Sequence, residues 1–225
     1  MPQHPLPEVP AVRLVLASAS PARLTTLQAA GVRPAVVVST VDEDLALAEA
    51  TERYGRLVAA DVALLLARAK AEDVASTNDL DAVVLGCDSV LELDGEVHGK
   101  PADPDEARRR WRRMRGRTGV LHTGHWLVDD RDEDGGATLG ATASTTVHFA
   151  RLTDEEIDDY VATGEPLLVA GAFTIDGLGG AFVTAIEGDH HNVVGLSLPL
   201  LRELLADAGI GWFDVVGGAA GDDQG

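Results

Sequence analysis

The sequence predicts an α/β fold with a central mixed sheet, and three observations point to it. Short apolar runs bounded by turn residues, such as Arg13 to Ala17 and Asp81 to Leu93, read as buried strands. Stretches with helical spacing open on capping residues, as at Ser20-Pro21, Asp103-Pro104 and Thr153 with Glu156. The two kinds of segment mix along the chain instead of separating into blocks, as in folds that layer helices on a sheet.

Residues 1–10 hold four prolines, no Lys or Arg and no apolar run, which reads as a loose tail without a secretory signal. Arg13 to Ala17 is the first strand. Ser20 caps a helix whose first position suits Pro21, and it runs to Ala30 and stops at Gly31. Val36 to Val38 reads as a second strand, followed by an acidic turn over Val41-Asp42-Glu43-Asp44. Apolar residues at 58, 62, 65, 66 and 69 predict a long helix over roughly 55–75. The strand 81–93 carries Asp88 in its interior and meets a hairpin signal at Asp94-Gly95, with Gly99-Lys100-Pro101 closing the hairpin.

Asp103 with Glu106 caps a helix that ends near Gly116. Strands at 120–128 and 141–149 flank a polar turn at 129–136. Thr153 and Glu156 form a capping box for a helix to about Ala162, followed by Gly164. A glycine-rich segment from Gly171 to Gly188 encloses a strand at Ala181 to Ile186. Ser197-Leu198-Pro199 opens the last helix, which ends by Gly209, and 217–225 read as disordered.

Composition narrows the function. With 225 residues and 45% hydrophobic content, the chain can bury one sizeable core. The richest apolar stretch, Leu57 to Ala69, is short and interrupted by Asp61, which argues against a membrane span. One cysteine, Cys87, rules out an internal disulfide framework and a cysteine-rich zinc site, and fits a reducing cytoplasm. A net charge of −19 repels nucleic acids and anionic membranes but leaves room for a small phosphorylated substrate held by concentrated cations and a divalent metal. Of the 18 basic residues only Lys70 and Lys100 are lysines, and both lie beside unusual motifs.

Asp88 is the sharpest local signal. It interrupts a run of apolar and small residues from Val83 to Leu91, and a buried carboxylate needs a partner, a metal or a task. The alternative is a strand end or bulge with Asp88 in solvent. Ser18, Ser20 and Arg23 surround a helix start, where unpaired N–H groups attract phosphate and Arg23 can fork onto its oxygens; on local features alone an ordinary capped helix with a surface Arg is the better reading. Asp42-Glu43-Asp44 is either an oxygen-rich site for Mg²⁺ or Mn²⁺ or a solvated acidic turn. Gly99-Lys100-Pro101 is a rigid loop that can aim one ammonium into the same cleft as Asp88, whereas for Lys70, on a helix, a solvated face is the stronger local reading. Seven arginines between Arg108 and Arg117 suggest a nucleic-acid patch, but with only Trp111 among them a cationic face balancing nearby acids is the better reading. His122 and His125 fall on opposite faces of a strand, and His190 and His191 are expected to diverge, so no zinc site is expected.

Together these motifs resemble the Maf family of nucleoside triphosphate pyrophosphatases over roughly residues 13–208. The resemblance rests on Leu16-Ala17-Ser18-Ala19-Ser20-Pro21 with Arg23, Val41-Asp42-Glu43, Ala69-Lys70-Ala71, Gly86-Cys87-Asp88-Ser89-Val90 and Gly99-Lys100-Pro101. It continues through Tyr160 with Gly164-Glu165-Pro166, Ala170 to Gly177, and Asn192-Val193-Val194-Gly195-Leu196. It implies an elongated mixed sheet flanked by helices, in two lobes with a central cleft, similar to the inosine-triphosphate pyrophosphatase fold. It implies one domain over 11–212 with flexible tails at 1–10 and 213–225, and allows a homodimer. The activity it implies is hydrolysis of a nucleoside triphosphate to monophosphate and pyrophosphate with a divalent cation, Mg²⁺ or Mn²⁺. Asp88 would be the proton acceptor and, with Glu43, the metal ligand. Lys70 and Lys100 would be the other charged catalytic residues, and Ser18, Ser20 and Arg23 would contact phosphate.

The chain departs from the family's pyrimidine-specific pattern at the positions that face the base and triphosphate. Ala22 stands in place of an Arg, Ser89 of a Thr, Phe173 of a Tyr and Asp176 of a Gln. An amide both donates and accepts, whereas an ionised Asp only accepts, so pyrimidine specificity does not carry over. The acidic residue is similar to a second branch acting on 7-methylated guanosine triphosphate, but Ala22 lacks that branch's aromatic neighbour. A second function from the same resemblance is a nucleotide-sensing regulator of cell division with little turnover.

Overall fold

The computed structural model describes residues 9–131 and 136–217. Among these, seven strands form one mixed sheet in the order β2 (Ala35–Val36), β1 (Leu14–Ala17), β3 (Val83–Leu93), β5 (Thr118–Asp129), β6 (Thr138–Phe149), β7 (Val183–Glu187), with β4 (Glu96–His98) pairing to β3. β2, β1 and β3 run parallel, and β3, β5, β6 and β7 antiparallel. The hairpin signal at Asp94-Gly95 is real: Leu93 pairs with Glu96, and both turn residues have positive φ (55° and 75°), as a tight two-residue turn requires.

The helices α1 (Pro21–Ala29), α4 (Pro104–Met114), α5 (Asp154–Ala162) and α7 (Leu198–Asp207) begin at the caps read in the sequence. Two helices were not anticipated. The stretch read as an acidic turn and loop is α2 (Glu43–Tyr54), which precedes α3 (Ala59–Thr77), and a short α6 (His190–Val194) follows the glycine-rich segment. The second strand covers only Ala35–Val36. The chain beyond 212, read as a tail, packs as far as it is described. Val215 and Val216 are core residues, Val12 N donates to Asp214 O (2.8 Å), and Val216 bridges Val32. The reason is hydrophobic: Val215 and Val216 join the core formed by β1, α1 and α7, with Val216 beside Gly31. The remainder of both tails, residues 1–8 and 218–225, and part of the 129–136 turn lie outside the described residues.

β3 threads both halves of the molecule. Val83, Leu85 and Cys87 pack with β1, α1 and α7 residues such as Leu16, Leu27 and Leu201. Leu91 and Leu93 pack instead with Trp111, Ile157 and Tyr160 of α4 and α5. Asp88 and Ser89 sit at the seam, so a polar pair interrupts the strand where one apolar core gives way to the other.

Candidate active site

α3 crosses this seam unusually close to the sheet, because two facing strand positions are glycines. A Cβ at Gly86 would lie 2.2 Å from Ala67 O, and one at Gly124 2.3 Å from Ala63 O. Gly124 is the cross-strand partner of Asp88. Ala63, Ala67 and Lys70 follow one another on one helix face, so the stripe that lies on the glycines also carries Lys70 over Asp88. The Lys70 ammonium donates to Asp88 Oδ1 at 2.6 Å and lies 2.8 Å from Glu43 Oε1. Glu43 arrives from the first turn of α2, capped by Asp42, whose Oδ1 accepts from Leu45 N at 3.0 Å. The acidic triplet is thus a helix start, where the dipole favours carboxylates.

Burial pushes the Asp88 carboxyl above the usual carboxylate range; Lys70 and Arg23 pull against this and Glu43 adds to it. Lys70 keeps the pair from being an isolated buried charge. Asp88 Oδ2 and Glu43 Oε2 have no hydrogen-bond partner among the described residues. The two carboxylates share the Lys70 ammonium and each keeps a free oxygen, a donor type that suits a hard divalent cation completing its shell with water and phosphate. No group of three or more His, Cys, Asp or Glu that could hold a metal occurs among the described residues, so the protein alone offers two carboxylates and not a full cage.

Arg23 differs from its expected place. It is buried, and four of its N–H groups are taken: Nε by Gly195 O (2.7 Å), Nη1 by Ser18 Oγ (3.0 Å) and Cys87 O (2.8 Å), and Nη2 by Ser89 Oγ (3.1 Å). It ties α1, β3 and the end of α6 together and so props the loop before α1, instead of reaching out as a surface fork. Ser18 Oγ also accepts from Ser20 N (3.2 Å), and Ser20 caps α1. Ser89 Oγ continues to Thr123 Oγ1 at 2.9 Å. Cys87, wholly buried with its thiol pushed up to about 12, is a packing residue.

Lys100 sits exposed on its loop and has no ion-pair partner among the described residues. The loop is fixed through Gly99 O, which accepts from Gly171 N (3.0 Å) and Arg110 Nη1 (2.5 Å). Arg110 also pairs with Glu106 at 2.5 Å, and its neighbours pair with acids: Arg108 with Asp158, Arg113 with Glu96, Arg115 with Asp154, and Arg117 with Asp94. The arginine cluster is therefore a charge-balanced helix face, and one member steadies the Lys100 loop.

Asp88, Glu43, Lys70, Lys100, Ser18, Ser20 and Arg23 all line one cleft of about 1470 Å³, as do Ala22, Ser89, Phe173 and Asp176. Phe173 is buried in the cleft wall, whereas Asp176 is exposed. Sequence reasoning gave no role to Glu165, which also lines the cleft. Its carboxylate gathers donors from Tyr160 and from residues 174–179. Burial pushes this carboxyl up, but hydrogen bonds from Thr174, Leu178 N, Gly179 N and Tyr160 outweigh it and hold it below the usual range. Its position inside a Gly-Glu-Pro turn was visible, but the donors that define it are remote in sequence.

The histidines are structural. His125 donates from Nδ1 to Thr123 O (3.0 Å) and accepts at Nε2 from Ser197 N (2.8 Å), which fixes the neutral tautomer. Burial, against the Thr123 bond, lowers it to about 4. His122, on the opposite face, bonds Ser144 and Glu92. His190 and His191 do not diverge: their segment is helical, and the rings meet edge to face at 4.7 Å.

Fold and site together define an α/β protein whose mixed sheet opens a cleft lined by lysines and carboxylates. The chain belongs to the Maf-like protein family, whose profile matches residues 13–208. It is 58% identical over 200 residues to a nucleoside triphosphate pyrophosphatase of Salinispora tropica, covering 87% of this chain and 84% of that one. It is 53% identical over 207 residues to one of Leifsonia xyli (91% and 96% covered) and 55% identical over 203 residues to one of Streptomyces coelicolor (90% and 93%). A solved nucleoside-triphosphatase / dITP/XTP pyrophosphatase from Mycobacterium abscessus shares 13% identity at a TM-score of 0.35, covering 88% of this chain and 95% of that one; so distant a superposition has no bearing on the site. No described helix is long and apolar enough to cross a membrane.

Proposed function

We propose that this chain is a pyrophosphohydrolase that cleaves the α–β phosphoanhydride of nucleoside triphosphates, releasing a nucleoside monophosphate and pyrophosphate. The convergence of Asp88, Lys70 and Glu43 in a cleft also lined by Lys100 and the start of α1 carries this reading. Asp88, its carboxyl raised by burial, takes the proton of the water that attacks the α-phosphorus. Lys70 holds Asp88 in place and, with Lys100, offsets charge on the departing pyrophosphate. The start of α1, with Ser18 held by Arg23 and by the Ser20 N–H, presents donors to phosphate oxygens. Asp88 and Glu43 would hold Mg²⁺ or Mn²⁺ through their free oxygens. Bound there, the cation would make a water more acidic and screen phosphate charge.

Ala22, Ser89 and Asp176 would set base preference, and Asp176, as an acceptor, favours a base edge rich in N–H donors. The single reduced cysteine suits a cytoplasmic setting, and the acidic surface disfavours nucleic acid. The test is pyrophosphate release by the purified protein from a panel of normal and modified nucleoside triphosphates, with Mg²⁺ or Mn²⁺. Release that disappears in Asp88→Asn is expected. Tight nucleotide binding without release from any member would overturn the reading in favour of a nucleotide-sensing regulator.

A further inference from the structure

Glu165 presents a carboxylate at the cleft with no salt bridge among the described residues. Its partners are neutral. Oε1 accepts from Tyr160 Oη (2.7 Å), Thr174 Oγ1 (2.7 Å) and Gly179 N (2.9 Å), and Oε2 from Leu178 N (2.9 Å). With four donors on one carboxylate, it is poorly placed to take a proton from water, and it can act through geometry.

The loop is shaped around this carboxylate. A Cβ at Gly177 would lie 2.5 Å from Glu165 Oε2 and 2.7 Å from Thr174 Oγ1, and one at Gly179 would lie 2.3 Å from the Tyr160 hydroxyl oxygen. Only residues without a side chain let the backbone wrap so closely. Tyr160 is itself fixed in an aromatic cluster, edge-on to Trp111 (5.5 Å) and Phe182 (5.1 Å). A chain of contacts thus runs from the second core through Tyr160 and Glu165 into residues 174–179, which expose Asp176 at the cleft. An acidic side chain repels a triphosphate, so this loop suits the nucleoside end of the substrate, while Lys70 and Lys100 suit the phosphates.

We propose that Glu165 is a positioning residue that fixes the 174–179 loop, and with it Asp176, for recognition of the nucleoside. This rests on the function proposed above. The variants are Glu165→Ala, which removes all four bonds, and Glu165→Gln, which keeps an acceptor at Oε1 and turns a donor toward Leu178 N. KM for nucleoside triphosphates is expected to rise about tenfold in the Ala variant and about threefold in the Gln variant, with kcat within about twofold. Discrimination among bases should narrow. Competitive inhibition by inorganic tripolyphosphate, which has no nucleoside, should stay unchanged. Amide exchange over 174–179 should accelerate in both variants.

An equal loss of affinity for tripolyphosphate, an unchanged KM, or unchanged exchange would overturn the proposal. If the Ala variant fails to fold, the Gln variant decides. If the wild-type chain releases no pyrophosphate, the function proposed above falls. The exchange rates, with nucleotide and tripolyphosphate binding affinities in place of KM, then still decide whether Glu165 holds the loop for the nucleoside.

Discussion

Two carboxylates face the same cleft and are held in opposite ways. At the floor, Asp88 is buried in a strand, its carboxyl raised by burial and opposed by the cations Lys70 and Arg23. At the far wall, Glu165 is half-buried and lowered by neutral donors that outweigh its burial. The difference separates their tasks. A raised carboxyl with a free oxygen suits the proton transfer proposed for Asp88, whereas a lowered and saturated one suits the fixed strut proposed for Glu165.

The strongest way to break this comparison is to swap the chemistry at the floor. Asp88→Asn should reduce kcat by about 10²–10⁴, the usual share of a general base, with the fold retained, since Lys70 keeps Glu43 as its partner at 2.8 Å. Assays of pyrophosphate release alongside thermal melts read both. A comparable kcat loss in Glu165→Gln would erase the distinction between the two walls.

Acid should act next on stability. His125 is lowered from 6.5 to about 4 by burial, so its contribution is complete above 6.5 and is lost as pH falls toward 4. The loss amounts to roughly 3 kcal/mol by pH 4. Urea titrations across that range should show the slope, and His125→Asn should flatten it. The two carboxyls add terms of opposite sign. Glu165, lowered, stabilises above its ordinary pKa and loses that effect as pH falls through its folded value. Asp88, raised, favours the fold below its ordinary pKa and loses that effect as pH rises through its folded value. In turnover, the acid limb of kcat/KM should therefore lie above the usual carboxylate range and vanish with Asp88.

A smaller effect tests how the floor is built. Gly86→Ala forces a methyl against Ala67 O and should lift α3, costing about 1–3 kcal/mol and drawing Lys70 from Asp88. Reduced turnover together with reduced Tm is the expected result. The smallest belongs to the basic helix: replacing exposed Arg112, whose ion pairs are long, should change stability by less than about 0.5 kcal/mol.

Much of this was legible in the residues themselves. Asp88 stood out because a carboxylate in an apolar strand needs an explanation, and the capped helices announced their starts. α2 escaped notice because only Ala50 of it is buried, so it carries almost no apolar stripe. Arg23 was legible as important but not as buried, since its partners Cys87 and Gly195 come from remote segments. His190 and His191 share a helical segment, to which the alternation that separates strand neighbours does not apply. Glu165 gave no local sign because a clamp is defined by what folds onto it.

The union of Val12 with Asp214 and of Val32 with Val216 has a temporal consequence. Hairpins such as β5–β6 can form from neighbouring residues alone, but the core under β1 stays open until Val215 and Val216 arrive. During synthesis that apolar surface remains uncovered until residues far downstream of β1 have emerged, so this half of the molecule is the one exposed longest to wrong partners.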